Sequence, residues 1–339
     1  MTGLLLGLFV AQAQIGGKGT YSFLNLSNSS RLAALGSNFV AIQDQDLGLA
    51  VANPSLLTPE YSGELALSFV DYFSDINYGF ASYSRNFEKL GSFAMTMQYI
   101  DYGRFEYANV AGFREGEFTG SELAATLGWG RQLTPLFNLG ANLKLIYSGL
   151  EEYSSYGVAV DVAGTYHNEE KRLTASLIVK NAGLELAKNY EGARSPLPFE
   201  IQAAVSKKLE HLPFRYSIVF THLEYWKMRY FDPYDPINRV DPITGEANEK
   251  TTLGKIGDEA LRHVVIGGEL LPFKFLSLRV SYNYQRRQEM KVYESKGMIG
   301  FSWGVGLNIH KFRFSYARSA FHRAGSPNYI TISTNLGDW

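Results

Sequence analysis

The sequence predicts an all-β fold: a 14-stranded antiparallel transmembrane β-barrel, closed on itself, with a short N-terminal plug segment. Three observations predict it. From about Gly63 to Trp339 the chain is a series of ten-to-fourteen-residue segments alternating apolar and polar, the connections between them alternate short and long, and cations sit opposite the apolar face. Period two is strand geometry. Length then separates the readings, because soluble strands run about five or six residues whereas a tilted strand needs about nine to eleven to cross a bilayer. The clearest segment is Met298 to Ile309, with Ile299, Phe301, Trp303, Val305, Leu307 and Ile309 on one face and Gly300, Ser302, Gly304, Gly306 and Asn308 on the other.

Met1 to Val10 is apolar and leads into Ala11-Gln12-Ala13, a small-x-small site, so residues 1–13 are expected to be a signal peptide and the mature chain to begin near Gln14. The apolar run lacks the usual preceding Lys or Arg, which suggests a start codon a few residues further upstream. Residues 14–61 break the strand pattern. Ser29 or Ser30 can N-cap one short helix, and Asp46 can start a second that Pro54 interrupts. A helical segment ahead of a medium-sized barrel is expected to plug its lumen; a periplasmic arm is the alternative.

Residues 62–339 form the barrel, in fourteen segments. The first seven are placed at about Gly63–Tyr72, Ile76–Asn86, Gly91–Ile100, Thr119–Arg131, Leu136–Ser148, Ser155–Tyr166 and Arg172–Asn181. The others are at about Pro198–Leu209, Pro213–Tyr225, Leu261–Leu271, Phe275–Gln285, Lys296–Ile309, Lys311–Ser319 and Asn328–Leu336. Bacterial barrels have an even strand number, short periplasmic turns and longer outer loops. Every second connection here is short, from Phe87–Leu90 to His310–Lys311, which places these turns and both termini in the periplasm. The others include Asp101–Phe118, Ala182–Leu197, Trp226–Ala260, Arg286–Ser295 and Ala320–Pro327, expected as extracellular loops; those near Phe73–Asp75 and Gly149–Ser154 are short.

Charge agrees with this topology. Lys144 lies opposite Leu139, Ala141, Leu143 and Leu145, and Arg279 lies opposite Leu276, Leu278, Val280 and Tyr282, so both point into the lumen. A lipid-facing Arg or Lys at mid-membrane costs about 2–4 kcal/mol, which makes this sorting a physical requirement. The chain ends in an alternating strand and an aromatic residue, Trp339, as barrel-assembly signals do.

With 32 Lys+Arg against 33 Asp+Glu, the net charge of −1 argues against a nucleic-acid partner. No cysteine is present, so thiolate metal sites and cysteine nucleophiles are excluded. Gly300-Phe301-Ser302-Trp303-Gly304 matches a nucleophile-elbow pattern but lies mid-strand, where a strained strand-to-helix turn is impossible. The six histidines, at 167, 211, 222, 263, 310 and 322, show no metal-binding spacing, and several fall in predicted turns as solvated side chains. Asp232, Asp235, Asn238 and Asp241 lack the EF-hand spacing, and three prolines already order that loop, although calcium is an alternative there. Gly16-Gly17-Lys18-Gly19 follows no buried strand, unlike a phosphate loop. No catalytic residue, cofactor or metal is expected.

Tyr21-Ser22-Phe23-Leu24-Asn25-Leu26, Ser29-Ser30-Arg31-Leu32-Ala33-Ala34-Leu35-Gly36, Asp44–Leu49 and Asn53-Pro54-Ser55-Leu56-Leu57 together resemble the N-terminal region of the PorQ family, outer-membrane components of the type IX secretion system. The Asn-Pro-small-x-Leu element and the fourteen-strand plan resemble the wider FadL-like barrel family. The first resemblance implies a non-enzymatic anchor for a cell-surface attachment complex, holding the surface protein PorZ and, through it, the sortase PorU and its barrel partner PorV, which attach cargo to lipopolysaccharide. Partner contacts are then expected on the outer loops, foremost on Trp226, Tyr230, Phe231 and Tyr234, then on Ala182–Leu197 and Asp101–Phe118, because loop aromatics suit interface anchors. A loop folded over its own barrel mouth is the plain alternative for these aromatics. The second resemblance implies the rival function, a transporter of hydrophobic small molecules. Such a transporter needs a break in the wall, and the strand pattern shows no clear interruption, which favours the anchor.

Overall fold

Each strand of the barrel is antiparallel to its sequence neighbours, and β1 closes the ring by pairing with β14. The computed structural model describes residues 20–36, 41–108, 113–188, 196–229, 252–290, 297–322 and 325–338. The first seven strands are β1 Glu64–Asp71, β2 Asn77–Phe87, β3 Gly91–Ala108, β4 Arg114–Thr134, β5 Phe137–Leu150, β6 Tyr153–Asn168 and β7 Leu173–Lys188. The second seven are β8 Glu200–Lys208, β9 Phe214–Phe220, β10 Val264–Phe273, β11 Leu276–Asn283, β12 Phe301–Ile309, β13 Phe312–Ser319 and β14 Asn328–Asn335. The helices are α1 Ser30–Ala34, α2 Leu47–Ala52, α3 Thr252–Arg262 and α4 Tyr284–Met290.

The strands pair without an edge for a reason set by lipid: every backbone polar group there must be satisfied within the protein. Outward side chains such as Leu143, Leu145, Leu177 and Val280 are exposed, while inward Lys144, Asp161, Gln202 and Ser302 are buried. Aromatic pairs ring the wall at two heights. Phe137–Tyr166 and Phe273–Phe275 mark the turn end, and Tyr147–Tyr156, Tyr282–Phe301 and Trp303–Tyr316 mark the loop end. Ten residues of β5 separate Phe137 from Tyr147. At about 3.3 Å per residue and a tilt near 40°, that spans roughly 25 Å, the height of a barrel's apolar band.

The wall is uneven. Strands β3 to β7 have 14 to 21 residues, whereas β8 to β14 have 7 to 10. Most of the connection expected over Asp101–Phe118 is therefore strand: β3 and β4 continue as a hairpin past the girdle, bulged between Asp101 and Arg104. Alternation persists there beyond the bilayer, so periodicity alone does not locate the boundary. Two other expectations are corrected. The segment placed at Leu261 begins in helix α3, and β10 starts at Val264. The segment placed at Lys296 becomes strand only at Phe301, because Gly300 sits at φ +92° with the Asn283 carbonyl 2.8 Å from where a Cβ would stand. Ile299 is consequently buried instead of facing lipid.

Candidate functional site: the plugged lumen and a seam in its wall

The N-terminal segment lies inside the barrel, and its turns are set by side-chain caps. Ser29 Oγ accepts from Leu32 N at 3.2 Å to start α1, and Asp46 Oδ1 accepts from Gly48 N at 3.0 Å to start α2. Asn53 Oδ1 accepts from Ser55 N and Oγ at 3.2 and 2.6 Å, which turns the chain at Pro54 into a 3-10 helix. This turn is locked to the wall, with Thr165 Oγ1 2.7 Å from Ser55 Oγ and Asn53 Nδ2 donating to it at 3.3 Å. Glycines make the approach possible. A Cβ on Gly130 would stand 2.5 Å from the Pro54 carbonyl oxygen, and one on Gly140 2.2 Å from the Pro54 carbonyl carbon.

A charged hub holds the other side of the plug. Arg31 on α1 donates bidentately to Glu269 of β10 at 2.8 and 2.9 Å and to both oxygens of Asp44 at 2.7 and 2.6 Å, with Asp46 at 3.3 Å. Arg215 of β9 bridges Asp44 and Glu269 at 2.7 and 2.8 Å, and Arg279 of β11 donates to Glu269 at 2.8 Å. Three guanidinium groups thus meet three carboxylates and cancel, which is how Arg31 and Glu269 keep their charge while buried. Burial opposes the Arg31 charge, but Asp44, Glu269 and Asp46 outweigh it and raise its pKa well above the ordinary value. For Asp44, burial acts upward, and Arg31 and Arg215 outweigh it to hold the carboxyl below the ordinary aspartate range.

Nearer the loop end the wall parts. The β7–β8 ladder stops at Lys180 opposite Glu200, yet β7 runs eight residues further, paired only with β6 among the described residues. Asn181 marks the parting, at φ +56° and fully buried. Its backbone N donates to Asp161 Oδ1 at 2.8 Å and its Nδ2 to the Pro198 carbonyl at 2.9 Å. Asp161 also accepts from Lys144 and Asn142, both at 2.9 Å, so the bulge is built and not frayed. Just inside, Tyr21, Phe23 and Leu24 of the plug form an apolar cluster with Ile146, Ala159 and Leu197. Just outside, Leu184, Leu186 and Phe199 are exposed. Leu184 is level with Val158, below the Tyr147–Tyr156 girdle, so the seam opens within the apolar band. Among the described residues the β7–β8 ladder is therefore interrupted within the apolar band, where the strand pattern shows no clear interruption. Alternation reports which face a residue takes, not whether a neighbouring strand is hydrogen-bonded to it.

Of the expected partner residues, Trp226 is 57% exposed and stacked on His263 with ring centroids 5.3 Å apart. Tyr230, Phe231 and Tyr234 lie outside the described residues, as do Asp232, Asp235, Asn238 and Asp241. His263, read in sequence as part of the segment Leu261–Leu271, is a buried residue in the turn between α3 and β10. Its ring nitrogens sit 2.8 and 3.1 Å from the Thr221 and Trp226 carbonyls. Ser302 is buried within β12 between Ser281 and Ser319, on a regular ladder and with no elbow. Among the described residues no group of three or more His, Asp or Glu side chains is arranged to hold a metal. Sequence reading missed Arg31, Glu269 and Asn181. An arginine beside Leu32, Ala33 and Ala34 in the short helix α1 was the available signal, since a buried arginine requires carboxylates to meet it.

No protein-family model matches the chain, and no curated protein matches it in sequence. Solved structures do. The P. putida toluene transporter TodX aligns over 92% of this chain and 99% of its own at 12% identity and a TM-score of 0.54. The Ralstonia pickettii toluene transporter TbuX aligns over 92% and 99% at 11% identity and 0.53, and the CymD monoaromatic hydrocarbon channel over 93% and 98% at 12% and 0.53. At such identities the likeness is one of fold: the chain, a closed fourteen-stranded antiparallel barrel, shares the fold of these channels.

Proposed function

We propose that this chain is a non-enzymatic outer-membrane barrel that passes hydrophobic small molecules from its plugged lumen toward lipid through the β7–β8 seam. The single observation that carries the proposal is that seam, with apolar plug residues on its inner side and exposed leucines on its outer side. An apolar solute leaving there passes the Tyr21, Phe23 and Leu24 cluster, avoids the charged hub, and reaches lipid without crossing water. The similar folds of channels described as carrying toluene and monoaromatic hydrocarbons support the solute class. In this reading the short turns and both termini face the periplasm.

The chain has no cysteine, so an introduced pair is unique. With Leu186→Cys and Phe199→Cys bridged by a bis-methanethiosulfonate cross-linker, uptake of toluene and of a long-chain fatty acid by cells or liposomes carrying the barrel should fall, and reduction should restore it. Equal uptake with the seam bridged, or no uptake by the unmodified barrel, would sink the proposal.

A second reading, the PorZ-binding anchor implied by the PorQ resemblance, is favoured by the β3–β4 hairpin. It carries exposed Phe105, Tyr107 and Phe113 beyond the girdle row that contains Tyr99. Nine residues from Tyr99 to Ala108 reach about 30 Å further along the strand, far enough to meet a surface protein. Purification from the native membrane separates the readings: an anchor brings down a surface protein that is lost when the hairpin tip is trimmed, and a transporter does not.

A further inference from the structure

At the turn end, between the plug and the ends of β6 to β9, lies a cavity of about 410 Å³ lined by Gln43, His167, Arg172, Thr174, Lys208 and Arg215, with Glu169 its one carboxylate. Its charge does not balance. Arg215 is neutralised by Asp44 and Glu269. Arg172 Nη1 donates to the carbonyls of Leu209 and Glu210 at 3.2 and 3.1 Å, partners that fix the guanidinium without cancelling its charge. Among the described residues no carboxylate comes within ion-pair distance of Arg172 or of Lys208. The two residues are backbone neighbours, since Lys208 N donates to the Arg172 carbonyl at 3.1 Å and Leu173 pairs with Lys207, and both line the cavity.

Arg172 adopts φ +51°, a backbone conformation that a long side chain rarely takes and that glycine or asparagine fills at lower cost. His167, with Nδ1 2.9 Å from Thr174 Oγ1, brings its other ring nitrogen to the same wall.

We propose that this cavity binds a small multivalent oxyanion, a phosphate or a dicarboxylate, through Arg172 and Lys208, with His167 as a further hydrogen-bonding group. A guanidinium anchored on two carbonyls and a lysine on the neighbouring strand, both lining the cavity beside polar donors, suit charge-assisted bonds to such a group. The volume suits a small ligand and excludes a folded partner. In the periplasm-facing orientation proposed above the cavity opens to periplasmic solutes, but the site rests on its own geometry and does not depend on transport.

The test is calorimetric titration of the intact, detergent-solubilised barrel with sodium phosphate and with succinate. Saturable binding of either is expected, and which of the two binds assigns the ligand as phosphate or carboxylate. Arg172→Gln with Lys208→Gln should weaken it about tenfold or more, the scale of losing charge-assisted bonds. Lys89→Gln, in the β2–β3 turn on the same rim, should leave it unchanged. If the double variant fails to fold, the wild type still decides, because sodium chloride must weaken the binding. Absence of saturable binding to the folded wild type, insensitivity to salt, or an equal loss in Lys89→Gln would each overturn the site.

Discussion

Arg31 ties the plug to Glu269 of β10 through two hydrogen bonds and also gathers Asp44 and Asp46, and its replacement is the sharpest residue-scale test. Arg31→Met leaves only Arg215 and Arg279 to neutralise Glu269, Asp44 and Asp46. Removing one partner of a buried pair costs about 3–5 kcal/mol, so unfolding of the variant in detergent should shift to markedly lower denaturant. A loss below about 1 kcal/mol would mean the hub is solvated. The hub and His222 should respond to pH with opposite sign. Asp44 has a lowered folded pKa, so its contribution is present above the ordinary aspartate value and is lost as acid protonates it through that lowered value.

For His222, burial acts downward, and Glu224, Glu200 and Glu289 outweigh it to raise the folded pKa above 6.5. Its ring lies between Glu224 Oε1 at 3.1 Å and Glu200 Oε1 at 3.7 Å, with the Tyr225 hydroxyl 3.2 Å from Nδ1. The stability it adds is fully present below the ordinary histidine value and is lost as pH rises through the raised one. Amide exchange at Ile201, whose N–H donates to Glu224, should therefore quicken as pH rises beyond the intrinsic base catalysis seen in His222→Gln. Identical profiles for both proteins would remove His222 as the clamp.

Individual elements show where local signals suffice. The caps of α1 and α2 were legible because Ser29 and Asp46 act on backbone within three residues of themselves. The inward glycines were not, since a glycine in a strand reads the same whether or not another chain segment presses on it. Gly140→Val should force the Pro54 turn off the wall, whereas Gly164→Ala, with nothing within 4 Å of its new Cβ, should be silent. Single-channel recording in planar bilayers checks this. Higher ion conductance is expected from Gly140→Val alone, and unchanged conductance would show that the plug gives way without leaving. The β3–β4 hairpin and the late start of β12 escaped sequence reading for a related reason. Alternation measures which face is wet, and neither a bulge nor a positive φ alters it.

Across the molecule, lipid and lumen impose opposite demands on adjacent residues. Leu143 faces out and Lys144 faces in, one position apart on β5. Leu143→Arg should destabilise the folded barrel by about 2–4 kcal/mol in liposomes, as a lipid-facing cation does at mid-membrane. Leu145→Phe on the same face should cost far less. Equilibrium folding into vesicles measures both, and equal costs would place this face out of lipid.

The sequence by itself determined the strand count, the antiparallel closed barrel, the inward and outward faces and the plug's caps, because each follows from interactions among near neighbours or from a bilayer of fixed thickness. Only the tertiary structure decided that Arg31 meets Glu269, 238 residues away, that β7 parts from β8 at Asn181, and that Arg172 and Lys208 line one cavity. Those depend on which strands lie side by side and where their ladders end. Closing the barrel around its own N-terminus sets both at once.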